Sequence, residues 1–199
     1  LLNHAESHPK AGITTSKIYF TKGREFHIDS YDKKNLGKVL WYAGGSVDWD
    51  HLVAFHRGVD EVDRGQFDNQ LECDFATGCT LMIKREVLEK IGTLDKKYFL
   101  YMEDVEYSIR AKKAGYEVHF VPNSIVWHKN AGSTGGSGSP LQQYYQSRNT
   151  LLFTIMHGSW KQMVTVIRLA LRFVFTGTKN ERRAVFHLLT ARFGKQPII

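Results

Sequence analysis

The period of the hydrophobic positions changes several times along this chain, and each change predicts an element. Residues 1–9 read as the end of a helix, and 12–20 as a strand with Ile13, Ile18 and Phe20 as core candidates, closed by a Lys22-Gly23 turn. Residues 51–68 are polar and Gly-punctuated without a steady period, which predicts a long loop exposing His56, Arg57 and Asp60. Residues 72–83 alternate as a strand around Ala76-Thr77-Gly78-Cys79. Residues 84–91 form a short helix with Val87, Leu88 and Ile91 inward and Gly92 closing it. The aromatic run 98–101 predicts a buried strand. Val105, Ile109 and Lys112 or Lys113 then fall at helical spacing, with Asp104 at the N-cap and Gly115 at the position that follows a helix C-terminus. Period two returns at Val118 and Phe120, and a Pro122-Asn123 turn leads to a second short strand, 125–128. A Gly/Ser-rich run, 131–140, leads into a helix at 141–157. Two basic helical segments, 160–175 and 179–193, complete an α/β pattern in which 1–157 form one domain and 158–199 a helical extension.

Charge changes the picture of that extension. The 199 residues are 42% hydrophobic and 24% charged, a globular composition able to bury a core, and the net charge is +7. Residues 158–199 carry eight Lys and Arg against Glu181 alone, so the whole excess lies there and calls for an anionic partner. Neither helix of the extension holds a charge-free run near the roughly 20 residues that span a bilayer, but basic amphipathic helices bearing Trp and Phe can lie on an anionic surface. The same faces could equally pack on the domain. A nucleic-acid partner is the competing source of anionic charge, but no nucleic-acid motif is present and the aromatics lie at core-like spacing. Cys73 and Cys79 form neither a disulfide framework nor a zinc pattern and read as reduced thiols.

The candidate chemistry lies at the ends of elements. Glu103 and Asp104 open a helix and His128 ends a strand, an arrangement that can bring carboxylates and an imidazole to one cleft. Adjacent acids at a helix start are also ordinary capping, where negative charge is worth roughly 0.3–1 kcal/mol. A strand-end histidine is often a hydrogen-bonded structural residue. Arg148, with its fixed fork of donors, suits a diphosphate or a surface ion pair. The Asp48-Trp49-Asp50 triplet follows a Gly-rich turn where a metal motif would follow a buried strand, and it reads as loop carboxylates.

Four blocks in order give a more specific signal. Ala76-to-Gly92 (ATGCTLMIKREVLEKIG), Leu94-Asp95 followed by FLYMED, Val126-Trp127-His128, and Gly135-to-Asn149 (GGSGSPLQQYYQSRN) resemble the C-terminal half of family 2 glycosyltransferases of the rhamnosyltransferase-like type. The resemblance runs over nearly the whole chain. It implies the acceptor-side, catalytic half of a GT-A type mixed-sheet domain, with the nucleotide-binding βαβ half and its Asp-x-Asp motif expected upstream of Leu1. It also implies an inverting enzyme that transfers a sugar, possibly rhamnose, from a nucleotide diphosphate sugar to a glycan or lipid-linked acceptor.

The same resemblance implies Asp104 as general base, with Glu103 orienting the acceptor or Asp104. It implies Trp41, Gly45 and Gly78 beside the acceptor, Arg148 on the diphosphate, and His128 as a ligand to Mg²⁺ or Mn²⁺. The loop 51–68 would vary with acceptor, and the run 131–140 would be an inert linker or a lid. Without its nucleotide half the chain is expected to bind nucleotide sugar weakly or not at all, and to sit at the cytoplasmic, inner face of the cell membrane through 158–199. The alternative is a non-catalytic carbohydrate-binding or assembly subunit.

Overall fold

The computed structural model describes residues 1–129 and 138–197. It is a mixed α/β structure of two compact units, each taken here by itself. The first gathers Leu1–Ser46, Ala54–Thr93 and the described part of Tyr107–Asn130. The second gathers Val47–Val53, Leu94–Glu106 and the described part of Ala131–Ile199.

The first unit is built on β1 (Ala11–Phe20), all ten residues of which are buried, preceded by the short helix α1 (Leu2–Ser7). Its two sides pair differently. Along one side β6 (Glu117–His128) runs parallel, from Ala11 opposite Glu117 to Phe20 opposite His128. Along the other, β2 (Leu40–Tyr42) and β5 (Leu81–Ile83) pair antiparallel with its C-terminal and N-terminal halves, giving a mixed sheet. The middle of β1 is polar although buried, and apart from Thr14 Oγ1 its polar side chains find partners inside. Lys17 reaches Asp63 at 2.8 Å and Asp68 at 2.6 Å, and Tyr19 donates to Asp63. Burial alone would lower the Lys17 pKa; the two carboxylates outweigh it and hold the ammonium above its ordinary value.

Pro122-Asn123 does not end a strand. Ser16 pairs with Val121 and Lys17 with Ile125, so residues 122–124 bulge out of one continuous β6, where the missing proline N–H costs no ladder bond. Ser16 Oγ and Ser124 Oγ, 2.9 Å apart, bridge across the bulge.

Two further expectations give way in this unit. Residues 72–83 hold only isolated bridges at Glu72 and Phe75 before β5, because the small residues at 76–79 form a turn. In the loop read at 51–68, β4 (Val53–His56) joins β3 (Gly45–Asp48) in a two-stranded ladder. His56, Arg57 and Asp60 are half-buried, since Arg57 Nε donates to Ala43 O and its Nη2 to Gln70 O, both at 2.7 Å. The predicted short helix is α2 (Arg85–Ile91), with Val87 buried, Leu88 39% exposed, and Gly92 at φ 74° closing it.

Helix α3 (Glu103–Lys113) starts one residue before the expected N-cap, which puts Asp104 inside its first turn. Its end is as predicted. Gly115 takes φ 93°, the Gly115 N–H meets Lys112 O and the Tyr116 N–H meets Ala111 O, the two bonds of a Schellman motif.

In the second unit α4 (Pro140–His157), α5 (Trp160–Thr176) and α6 (Lys179–Leu189) pack around Leu52, Leu151, Val166, Phe173 and Val185. Ser159 with Gln162 and Thr178 with Glu181 form capping boxes that start α5 and α6 sharply. The Gly/Ser run expected to be linker or lid lies, from 131 to 137, outside the described residues.

Candidate functional site

The approach to α3 is a tight turn where the aromatic run suggested a strand. Phe99, Tyr101 and Met102 have φ of 63°, 62° and 69°, a left-handed conformation that costs side chains energy and breaks any ladder. The carbonyls of such a turn need donors from elsewhere. Arg148 and Asn149 on α4 supply them. Arg148 Nη2 donates to Lys97 O at 2.9 Å and Tyr98 O at 3.1 Å; Asn149 Nδ2 donates to Tyr98 O at 2.9 Å and to Leu100 O and Tyr101 O at 2.8 Å.

The rest of the Arg148 guanidinium is committed as well. Nε donates to Asn149 Oδ1 at 3.0 Å, and Nη1 faces Gly194 O at 3.0 Å with Arg192 O and the Tyr144 hydroxyl at 3.3 Å. A guanidinium has five N–H donors, and this one is 0% exposed. No donor is left for a diphosphate, which corrects the expectation for Arg148: it holds the turn that delivers the carboxylates.

From that turn Glu103 and Asp104 enter the first turn of α3, where the helix dipole favours negative charge. Their surroundings differ. Asp104 Oδ1 accepts the Val105 N–H at 2.8 Å. Glu103 Oε2 is buried without a hydrogen-bond partner, and burial, then the neighbouring Asp104, push its carboxyl up to about 7. Glu103 therefore exchanges a proton near neutral pH beside a second carboxyl, a pairing suited to acid–base work. One turn on, buried Glu106 lies 3.2 Å from His157 Nε2 of α4.

The first unit holds the other candidates. His128 ends β6 with its Nδ1 buried and unpaired, and its ring lies 4.5 Å from that of Trp41. Burial lowers its pKa, which favours the neutral imidazole that ligates metals, and an orphaned buried nitrogen fits such a role. His128 is then the one predicted residue of this unit with the chemistry to hold Mg²⁺ or Mn²⁺. Trp41 also packs edgewise on His56 at 4.4 Å, and His56 Nδ1 lies 3.2 Å from Trp41 O. Burial drives the His56 pKa down to about 4, so this ring is neutral. Sequence reasoning missed His56 because Val53–His56 is too short a run to show a period.

The predicted acceptor residues separate. Trp41 joins His128. Gly45 is packed: a Cβ there would meet the Phe75 ring at 2.5 Å, so the missing side chain makes room for Phe75, a correction to its acceptor role. Gly78 is exposed in its turn. Asp48 spends its carboxylate locally, with Oδ1 accepting the Asp50 and His51 N–H groups at 3.0 Å and Oδ2 2.8 Å from His51 Nδ1, as its reading as a loop carboxylate requires.

Comparison with known proteins adds to this geometry. The family described as "Glycosyltransferase like family 2" matches residues 11–149, most of the chain. The galactofuranosyltransferase GlfT2 of Mycobacterium tuberculosis is 28% identical over 132 residues, covering 65% of this chain and 20% of that protein. The N-acetylglucosaminyl-diphospho-decaprenol L-rhamnosyltransferase of the same species is 35% identical over 86 residues, 43% of this chain and 28% of that protein. The dTDP-rhamnosyl transferase RfbF of Shigella flexneri is 31% identical over 143 residues, 67% of this chain and 48% of that protein. The aligned stretches thus span between a fifth and a half of these relatives' lengths.

Proposed function

Because the chain belongs to the family 2 glycosyltransferases, we propose that it carries the catalytic, acceptor-side part of an inverting enzyme that transfers a sugar from a nucleotide diphosphate donor to a glycan or lipid-linked acceptor. The observation that carries the reading is the Glu103–Asp104 pair, held at the start of α3 within the matched residues. Asp104 takes the proton of the acceptor hydroxyl as its oxygen attacks the anomeric carbon, and the nucleoside diphosphate leaves from the opposite face. Glu103, with its carboxyl near pH 7, orients the acceptor hydroxyl. A bound Mg²⁺ or Mn²⁺ would supply positive charge for the departing diphosphate, and His128 offers it one imidazole ligand. Relatives named as rhamnosyltransferases favour a deoxyhexose donor and a cell-surface polysaccharide product.

One displacement by one base fixes the stereochemistry. In a transfer-competent form of the protein, the anomeric configuration of the product, read by NMR coupling constants, should be inverted from the donor's. A retained configuration would exclude a single in-line displacement and remove Asp104 as its base.

The reading places the enzyme at the inner face of the cell membrane. No helix among the described residues is long and apolar enough to cross one. On α5, however, Trp160, Val164, Ile167, Leu171 and Phe175 lie at spacings of three and four, and all are exposed, Trp160 at 75% and Phe175 at 73%. Lys161, Arg168 and Arg172 punctuate the same helix. An apolar stripe with basic flanks matches an anionic lipid surface. Ile167→Ser with Phe175→Ser should weaken sedimentation with anionic vesicles by 10²-fold or more, at about 1.5–3 kcal/mol per side chain withdrawn from lipid. Arg168→Glu with Arg172→Glu should weaken it most at low salt. Unchanged sedimentation of both double variants removes α5 from the membrane contact.

A further inference from the structure

The first unit gathers a second set of metal-ligand side chains at the start of β6, the opposite end of the strand from His128. Glu117 and His119, two residues apart, point to the same face. Glu72 lies opposite His119 in an isolated antiparallel bridge, which brings its side chain to that face as well. One ligand atom from each of Glu72, Glu117 and His119 lies within 4.8 Å of the other two. His119 is 5% exposed, Glu117 is half-buried and Glu72 is exposed, so the group is anchored inside and open to water on one side.

The imidazole is held at both nitrogens. Nε2 lies 3.0 Å from Glu117 Oε2, and Nδ1 lies 2.9 Å from Nε2 of His4 on α1. The His4 ring stacks on that of His8 at 4.0 Å. A cation bound at His119 Nε2 would leave the ring proton on Nδ1, where His4 Nε2 is placed to accept it. Metal-bound histidines are commonly oriented in this way, with the second ring nitrogen donating to a fixed acceptor.

We propose that Glu72, Glu117 and His119 bind one divalent cation of the zinc class, with His4 as the outer partner that fixes the imidazole. One nitrogen and two carboxylate oxygens suit that class better than Mg²⁺, which prefers oxygen alone. Ligands about 2.1 Å from a shared centre sit roughly 3.4 Å apart in a tetrahedron, so the set closes by a small swing of exposed Glu72. Lys10, 3.9 Å from Glu117 Oε1 and largely exposed, swings away without cost to the core. The ion takes the place of the direct contact between His119 Nε2 and Glu117 Oε2. It ties the Glu72 segment to β6.

Calorimetric titration of Zn²⁺ into the metal-free chain, with Mg²⁺ in excess, tests the assignment. One equivalent should bind, and Glu117→Gln and Glu72→Gln should each weaken it at least about tenfold. His4→Ala should weaken it about 10- to 100-fold, as removal of an outer partner does. His51→Gln, which alters the exposed pair with Asp48, should leave it unchanged. Visible absorption of the Co²⁺-loaded chain should report a mixed nitrogen and oxygen ligand field that His119→Gln abolishes. If His119→Gln fails to fold, the two glutamine variants, which keep shape and bulk, decide the matter. The proposal is overturned if wild type binds no Zn²⁺, if both glutamine variants bind as wild type does, or if His51→Gln abolishes binding.

Discussion

Arg148→Met is expected to destabilise the chain by on the order of 3–5 kcal/mol, because it strands buried carbonyls at about 1–3 kcal/mol each. The carbonyls of Arg192 and Gly194 lose the donor that Arg148 gives them, while Lys97 O keeps only the Gly194 N–H and Tyr98 O keeps Asn149 and the Leu100 N–H. Against a typical stability of about 5–15 kcal/mol, that loss should move a urea midpoint far to the left. Arg148→Lys should recover little, since three donors on a point charge cannot replace a planar fork. Asn149→Asp should also destabilise, because it turns an oxygen toward three carbonyls. A diphosphate contact would behave in the opposite way, losing donor affinity at an unchanged midpoint. A midpoint of Arg148→Met within experimental error of wild type would refute the structural role.

Much of the fold was legible because it follows from local pattern. The β1 strand, the Gly115 stop after α3, and the starts of α5 and α6 at Trp160 and Lys179 are each decided within a few residues. What failed to read were places where partners distant in sequence decide. The run 98–101 has strand composition, yet Arg148 and Asn149, some fifty positions later, hold it as a left-handed turn. Pro122 reads as a terminator until β1 pairs on both sides of it. His56 reads as a loop residue until Trp41 covers it. The carboxylate pair was legible as a candidate from its place at a helix start. The shift of Glu103 was not, since burial comes from the assembled fold.

That shift gives the pair two separable signatures. Ionising Glu103 costs more in the folded chain than in the unfolded one, so wild-type stability should decline as pH rises from its ordinary 4.5 towards about 7. Glu103→Gln should flatten that decline and cost turnover only modestly, as an orienting role requires. Asp104→Asn should do the reverse. Asparagine keeps the shape and the oxygen that accepts the Val105 N–H, so the fold and the thermal midpoint survive while the basic site is lost. If Asp104 were only a favourable charge at a helix start, its loss would cost roughly 0.3–1 kcal/mol of stability and leave turnover intact.

The decisive measurement is the single-turnover rate of sugar transfer by Asp104→Asn in a transfer-competent form of the protein, at saturating donor and acceptor, alongside its thermal midpoint. Transfer slower by about 10²- to 10⁴-fold, with donor affinity and midpoint unchanged, is the result predicted for the loss of a general base. A folded Asp104→Asn protein that transfers at close to the wild-type rate would contradict it and move the base to another residue, Glu103 first.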